Sequence, residues 1–160
     1  MNRYLFNIVI LSETKVLEEL LSRVPLPEGV DCVISTMGSS DLVETVKADL
    51  IIMDPSFSEY NCDGKLIICT KPEEMENGFA GIWDRICDIW FKPFNEKLIT
   101  LRFKQTLEHI KLEKDHHFSE QCMDTLLECI PDMVWFKDLE GLHVKVNDAF
   151  CNIVGKPKDD

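Results

Sequence analysis

No apolar run in this 160-residue chain is long enough to span a bilayer. The run inside MNRYLFNIVILSETK meets polar residues too soon and carries no small-residue cleavage site, so it reads as a first strand. A CxxC pair is missing, as is any Cys/His cluster at zinc spacing. The seven cysteines therefore read as reduced, mostly buried thiols. Basic residues are scarce, 17 against 29 acidic ones, and a formal charge of −12 disfavours a phosphate backbone as partner, because that contact is mostly electrostatic. Nucleic-acid binding and membrane contact by this fragment are set aside, and a cytoplasmic setting is expected. The apolar share of 45% is globular composition, and the length suits one full domain plus a remnant or one large domain.

Five short apolar runs alternate with amphipathic or polar segments: Phe6 to Leu11, Val30 to Ser35, Leu50 to Met53, Leu66 to Cys69 and Cys87 to Phe91. Continuous Val/Ile/Leu runs without polar alternation suit parallel strands covered on both faces. Helices are expected from about Lys15 to Arg23, Asp41 to Lys47 and Glu73 to Arg85. In the first, Val16, Leu17, Leu20, Leu21 and Val24 form one stripe, with Glu18 and Glu19 turned away. Ser39 and Ser40 are candidate caps for the second, with Glu44 in its early turns. Only DPSFSEYNCDG lies between Met53 and Lys65, too little for a full crossover helix, so one short helical turn or an extended loop is expected there.

From Asn95, a candidate cap, no Gly or Pro occurs until Pro131. This segment reads as one helix, or as two with a break near Asp115 to Phe118. Ile99, Phe103, Thr106, Leu107 and Ile110 stand on one side, while Leu98, Leu101 and Leu112 make a second stripe. Phe118, Cys122 and Leu126, at four-residue spacing, suit a connecting helix that pairs with its own copy, so a homodimer is expected. Beyond Pro131, MVWF and LHVKV flank an Asp-Leu-Glu-Gly turn and precede a short helix. Two strands and a helical turn make a poor core alone, so the natural protein is expected to continue.

Asp54, Thr70 and Lys92 stand at the carboxyl ends of three runs, and in a parallel sheet those ends share the edge where ligands of open α/β folds sit. A carboxylate acceptor, a hydroxyl and an ammonium would together hold a phosphoryl group, and Glu13 offers a further oxygen for magnesium. Taken singly, Asp54 reads as a cap, Lys92 as a surface lysine and Thr70 as a strand terminator. Pro93 behind Lys92 favours an aimed residue. Trp83, Trp90 and Phe91 read as packing residues.

Over roughly residues 5 to 112 the chain resembles a response-regulator receiver domain, through NIVILSE, ADLIIMD, KLIICT and above all DIWFKPFNEKLI. The resemblance implies a flavodoxin-like open five-stranded parallel sheet with helices on both faces and a shortened third crossover. It implies Asp54 as phosphoacceptor, Thr70 as switch hydroxyl and Lys92 as the family's lysine. Glu13 and Asp54 would hold Mg2+, and the partner would be a cognate histidine kinase or histidine phosphotransfer domain. Ser12 replaces one of the family's two acids, Glu13 lengthens the other, and Ile89 stands at the usual aromatic switch position. From about Met123 the chain resembles the start of a PAS sensory domain, through Pro131-Asp132, Lys137-Asp138, Gly141, Asn147 to Phe150 and Gly155. Only the first part of that α+β domain is present, so no cofactor is expected in it. His143 reads as packed or exposed on its strand, and His116 and His117 as solvated helix residues.

The resulting domain reading is a receiver-like domain over 1 to 112, a helical linker over 113 to 127 and the start of a PAS domain over 128 to 160. The functional reading is a signal-transduction module of a sensory protein such as a hybrid histidine kinase. Phospho-acceptance on Asp54 with slow hydrolysis would not make the fragment an enzyme, although a parent kinase would be one. The alternative is a degenerate, phosphate-independent receiver used for dimerisation or protein interaction. A third class, a hydrolase with Asp54 as nucleophile, lacks its second acid, because Pro55 and Ser56 follow.

Overall fold

A computed structural model describes residues 2–41, 45–77 and 85–158. Contacts divide the chain into two compact units, Met1–Leu112 and Glu113–Asp160. The first holds strands β1 (Tyr4–Leu11), β2 (Val30–Met37), β3 (Thr45–Met53), β4 (Asn61–Thr70) and β5 (Ile86–Phe91), with helix α1 (Val16–Leu21). Helix α2 (Glu96–Cys129) contributes its first half to this unit and its second half to the other. All pairings in the five-stranded sheet are parallel and the order is β2-β1-β3-β4-β5, the flavodoxin-type order that receivers share.

The hydrophobic runs become strands because the sheet is covered on both sides. On one face Phe6, Ile8, Ile10, Leu50, Ile52, Ile67 and Cys69 pack beneath α1 and α2. Leu17, Leu21 and Val24 come from the α1 region, and Ile99, Phe103, Leu107 and Ile110 from α2, all buried. Truncating fully buried Phe103 to Ala should cost about 3–5 kcal/mol. On the other face Val9, Leu11, Ile51, Met53 and Ile68 pack around Phe57 from a 3-10 turn, Pro55–Phe57. That turn is the short crossover expected after Asp54. In α1, Val16 is 59% exposed and leaves the expected stripe, while Glu18 is half-buried with Oε2 lacking a hydrogen-bond partner.

Several boundaries differ from the sequence reading. Thr45 to Lys47, expected in a helix, begin β3 instead: they pair with Asn61 to Asp63, Val46 is buried, and Asn61 Nδ2 donates to Thr45 Oγ1 at 3.1 Å. Residues 42–44 of the expected helix, Glu44 among them, lie outside the described residues. The polar NCDG stretch, the end of the segment expected as a short helical turn or an extended loop, opens β4. Its Gly64 has φ +151, and a Cβ there would stand 2.1 Å from Ala48 O, where the β3 to β4 register shifts. The expected helix from Glu73 to Arg85 is a 3-10 helix over Pro72–Asn77, its remainder through Asp84, including Trp83, lying outside the described residues.

Helix α2 is unbroken. Asn95 Oδ1 caps it by accepting from Leu98 N at 3.1 Å, and the stretch where a break was considered carries His117 to Gln121 and His116 to Glu120 contacts one turn apart. Leu98, Leu101 and Leu112 are exposed, as are Phe118, Cys122 and Leu126. Among the described residues no helix is long and apolar enough to cross a membrane.

In the second unit β6 (Trp135–Lys137) and β7 (His143–Val146) form an antiparallel hairpin, followed by α3 (Asp148–Val154). Asp138 Oδ1 closes the turn by accepting from Glu140 N and Leu142 N, both at 2.9 Å, with Gly141 at φ +87. Asn147 is buried and ties the unit together. Its Oδ1 accepts from Val134 N at 3.0 Å and Phe150 N at 3.1 Å. Its Nδ2 faces the carbonyls of Leu127, Ile130 and Asp132 at 3.2, 3.1 and 2.9 Å. It thereby caps both the start of α3 and the end of α2.

Candidate functional site

The parallel register carries Ser12, Asp54, Thr70 and Lys92 to one edge of the sheet, since each ends or follows its strand there. Asp54 N donates to Leu11 O at 3.0 Å, and Lys92 N donates to Thr70 O at 2.9 Å. The site's backbone is thus an extension of the sheet ladder, which fixes side-chain origins without help from a loop.

Both oxygens of Asp54 are engaged. Lys92 Nζ lies 2.5 Å from Oδ1, and Ser12 Oγ donates to Oδ2 at 2.8 Å. The Lys92 and Asp54 side chains are 34% and 18% exposed, so this ion pair is only partly screened by water. Lys92 also stands 5.8 Å from the centre of the Phe94 ring, and the Lys92–Pro93 peptide is cis. Beneath the pair Cys69 is fully buried. Burial pushes its thiol far above the ordinary range, and the nearby Asp54 charge adds to that rise.

Thr70 is fully buried, and its hydroxyl does not meet Asp54. Oγ1 lies 3.3 Å from Lys71 O and 3.3 Å from Glu74 Oε2. Glu13 is also turned elsewhere: its Oε1 accepts from Ser39 Oγ at 2.7 Å and from Ser39 N at 3.1 Å. Those bonds hold its carboxyl below the ordinary range, against smaller opposing effects of desolvation and of the Asp41 charge. The structure thus joins Asp54 to Lys92 and Ser12, pins Thr70 beside them through its carbonyl, and gives Glu13 to the loop after β2. Among the described residues no three His, Cys, Asp or Glu side chains gather at metal-holding distance.

Four neighbours escaped the sequence reading. Ser39 reads as a helix cap but binds Glu13, and Glu74, which falls within an expected helix with no role assigned to it, reaches Thr70. Asp88 and Arg102 fasten β5 to α2. Arg102 Nη1 meets Asp88 Oδ1 at 2.5 Å and Ile89 O at 3.3 Å, while Trp90 Nε1 donates to Asp88 Oδ2 at 2.8 Å. The sequence signal was there: Asp88 and Trp90 stand two apart on one strand, on one face. Ile89 is half-buried and Trp90 buried, whereas Phe91 is exposed. In the second unit His143 packs edge-on against Phe150, at 5.2 Å between ring centres.

No family model matches the sequence, and no curated protein matches it. Among solved structures, the chain is similar to NtrX from Brucella abortus in complex with ADP. Identity there is 12% and the TM-score 0.45, covering 81% of this chain and 36% of that one. A second NtrX structure from Brucella abortus gives 12% identity and a TM-score of 0.46, with 82% and 36% covered. The signal receiver domain of an HD domain-containing protein from Pseudomonas fluorescens Pf-5 is 16% identical, with a TM-score of 0.43, covering 68% of this chain and 91% of that one. The chain thus spans about a third of the length of the NtrX chains it matches.

Proposed function

We propose that residues 1 to 112 are a signal-transduction module of a sensory protein and that Asp54 is its phosphoacceptor. The observation that carries this reading is the meeting of Asp54 with Lys92, 38 residues away, at the ligand-binding edge of the sheet. An isolated capping aspartate has no need of a lysine aimed at it from another strand. The donor is the phosphohistidine of a histidine kinase or a histidine phosphotransfer domain. An Asp54 oxygen forms the new P–O bond as the P–N bond breaks, and the electron pair returns to the imidazole. Lys92 balances the added charge, and Ser12 releases Oδ2 at the cost of one charge-assisted hydrogen bond.

A magnesium ion fits this donor set in part. Magnesium keeps several waters and needs only one or two carboxylates, which Asp54 and Glu13 would supply once Glu13 leaves Ser39. Bound there, it would neutralise charge between carboxylate and phosphoryl group.

A second reading is a phosphate-independent interaction module. It is favoured by Ser12 standing at an acid's position, by the capture of Glu13 and by the satisfaction of both Asp54 oxygens. Intact-protein mass after treatment with acetyl phosphate and magnesium separates the two. A magnesium-dependent gain of one phosphoryl group, absent in Asp54→Asn, supports the phosphoacceptor. A folded protein with no adduct from acetyl phosphate or from phosphorylated donor domains supports the interaction module.

For the rest of the chain, we propose a helical linker over 113 to 127 and the opening segment of a PAS sensory domain over 128 to 160. The linker pairs with its copy along exposed Phe118, Cys122 and Leu126. A scattering mass equal to one chain at high concentration would refute that pairing.

A further inference from the structure

Thr70 is fully buried, so its hydroxyl must find its acceptor within the protein. The two at hand are Lys71 O and Glu74 Oε2, both at 3.3 Å. The 3-10 helix Pro72–Asn77 brings Glu74 back over Thr70, with Glu74 N donating to Lys71 O at 3.0 Å. The Glu74 carboxylate then rests on Lys71, at 3.5 Å from its N and 3.8 Å from its Nζ.

A threonine hydroxyl has one proton, which cannot serve Glu74 and an anion on Asp54 at once. Its present contacts are long and therefore weak. A phosphoryl oxygen would accept a shorter, charge-assisted bond. Half of the Glu74 side chain is exposed, so water can take up its carboxylate when the hydroxyl leaves.

We propose that Glu74 is a positioning residue that holds the Thr70 hydroxyl off the anion site over Asp54, so that filling the site requires Thr70 to exchange one anionic acceptor for another. This rests on the reading of Asp54 as phosphoacceptor. Glu74 opposes the incoming group twice, by keeping the proton and by adding negative charge. Glu74→Gln keeps the oxygen and loses the charge, and Glu74→Ala loses both.

The test uses the full chain with labelled threonine methyl groups and has two readouts. The first is the Thr70 signal without ligand, compared between wild type and both Glu74 variants. The second is the affinity for beryllium fluoride with magnesium, a phosphoryl mimic, in wild type, both Glu74 variants and Asp54→Asn. The expected result is a Thr70 signal displaced from its wild-type position in both Glu74 variants, further in Glu74→Ala than in Glu74→Gln. Beryllium fluoride should bind about three- to tenfold more tightly to Glu74→Ala than to wild type, with Glu74→Gln between them and Asp54→Asn not binding. A Thr70 signal indifferent to Glu74 would overturn the proposal. Equal affinity in wild type and Glu74→Ala would overturn the exchange and leave the Asp54 reading standing. A Thr70 signal that follows Glu74, with no binding by any variant, would overturn the phosphoacceptor reading and with it the exchange.

Discussion

Replacing Asn147 by alanine should open the second unit while leaving the first intact. The side-chain amide has two hydrogens and one carbonyl oxygen with two lone pairs, so it can make four full hydrogen bonds. It meets five backbone groups, and the two hydrogens must therefore be shared among three carbonyls. Water can replace the amide at Ile130 and Asp132, which are exposed. It cannot do so easily at Leu127, which is buried, or at the N–H groups of half-buried Val134 and Phe150. Three stranded groups at about 1 kcal/mol each give a loss of about 3 kcal/mol, roughly a hundredfold in the equilibrium for local opening. Native-state amide exchange reads this directly at reporters whose own bonds survive the change: the β6–β7 ladder, Asp138 N and Gly155 N. Asn147→Asp is the companion variant, because it keeps both acceptor bonds but points an anion at three carbonyls, and it should fare no better than alanine. Protection within threefold of wild type in Asn147→Ala, or full protection in Asn147→Asp, would refute the reasoning.

Other expectations follow from single contacts. Gly64→Ala places a Cβ 2.1 Å from a backbone carbonyl at φ +151, and chemical denaturation should show a loss of about 3 kcal/mol or failure to fold. Gly38→Ala is the mild counterpart, since its Cβ would meet the flexible end of Glu13 at 3.2 Å, and the same assay should show less than about 1 kcal/mol. Because Ser39 depresses the Glu13 carboxyl, that contact stabilises the fold above the unfolded-state pKa and is lost as pH falls through the folded one. Ser39→Ala should raise the Glu13 midpoint in a side-chain NMR titration, and an unchanged midpoint would contradict the assignment. Alkylation followed by peptide mass mapping should label exposed Cys129 quickly and spare buried Cys62 and Cys69, while Cys32, its thiol pushed up to about 11 by burial, reacts slowly.

The strand centres were legible because burial on both faces leaves a one-dimensional trace: NIVIL, LIIM and LIIC admit few other readings. Strand beginnings were not. Thr45 to Lys47 and Asn61 to Asp63 are mostly polar residues held by backbone pairing to each other, and neither segment carries that information alone. The stripe Ile99, Phe103, Leu107 and Ile110 was legible because helical period and burial agree, whereas Val16 kept the period and missed the core. At the site, Asp54, Thr70 and Lys92 could be placed on one edge from strand order alone. Where Glu13 and the Thr70 hydroxyl would turn could not, because Ser39 and Glu74 compete for them from segments whose conformation the sequence pattern misread.

The span of the contacts at the sheet edge has a kinetic consequence. Ser12 and Lys92 each reach Asp54 across about 40 residues of chain, 42 on one side and 38 on the other. The hairpin of the second unit closes over far shorter loops, with Trp135 opposite Val146. Loop closure makes the former slow and the latter fast, so the carboxylate, hydroxyl and ammonium meet only after β1, β3 and β5 have all docked. A chain stalled part-way through refolding would carry every residue of the pocket and none of its geometry, which makes the pocket a late marker of a completed sheet.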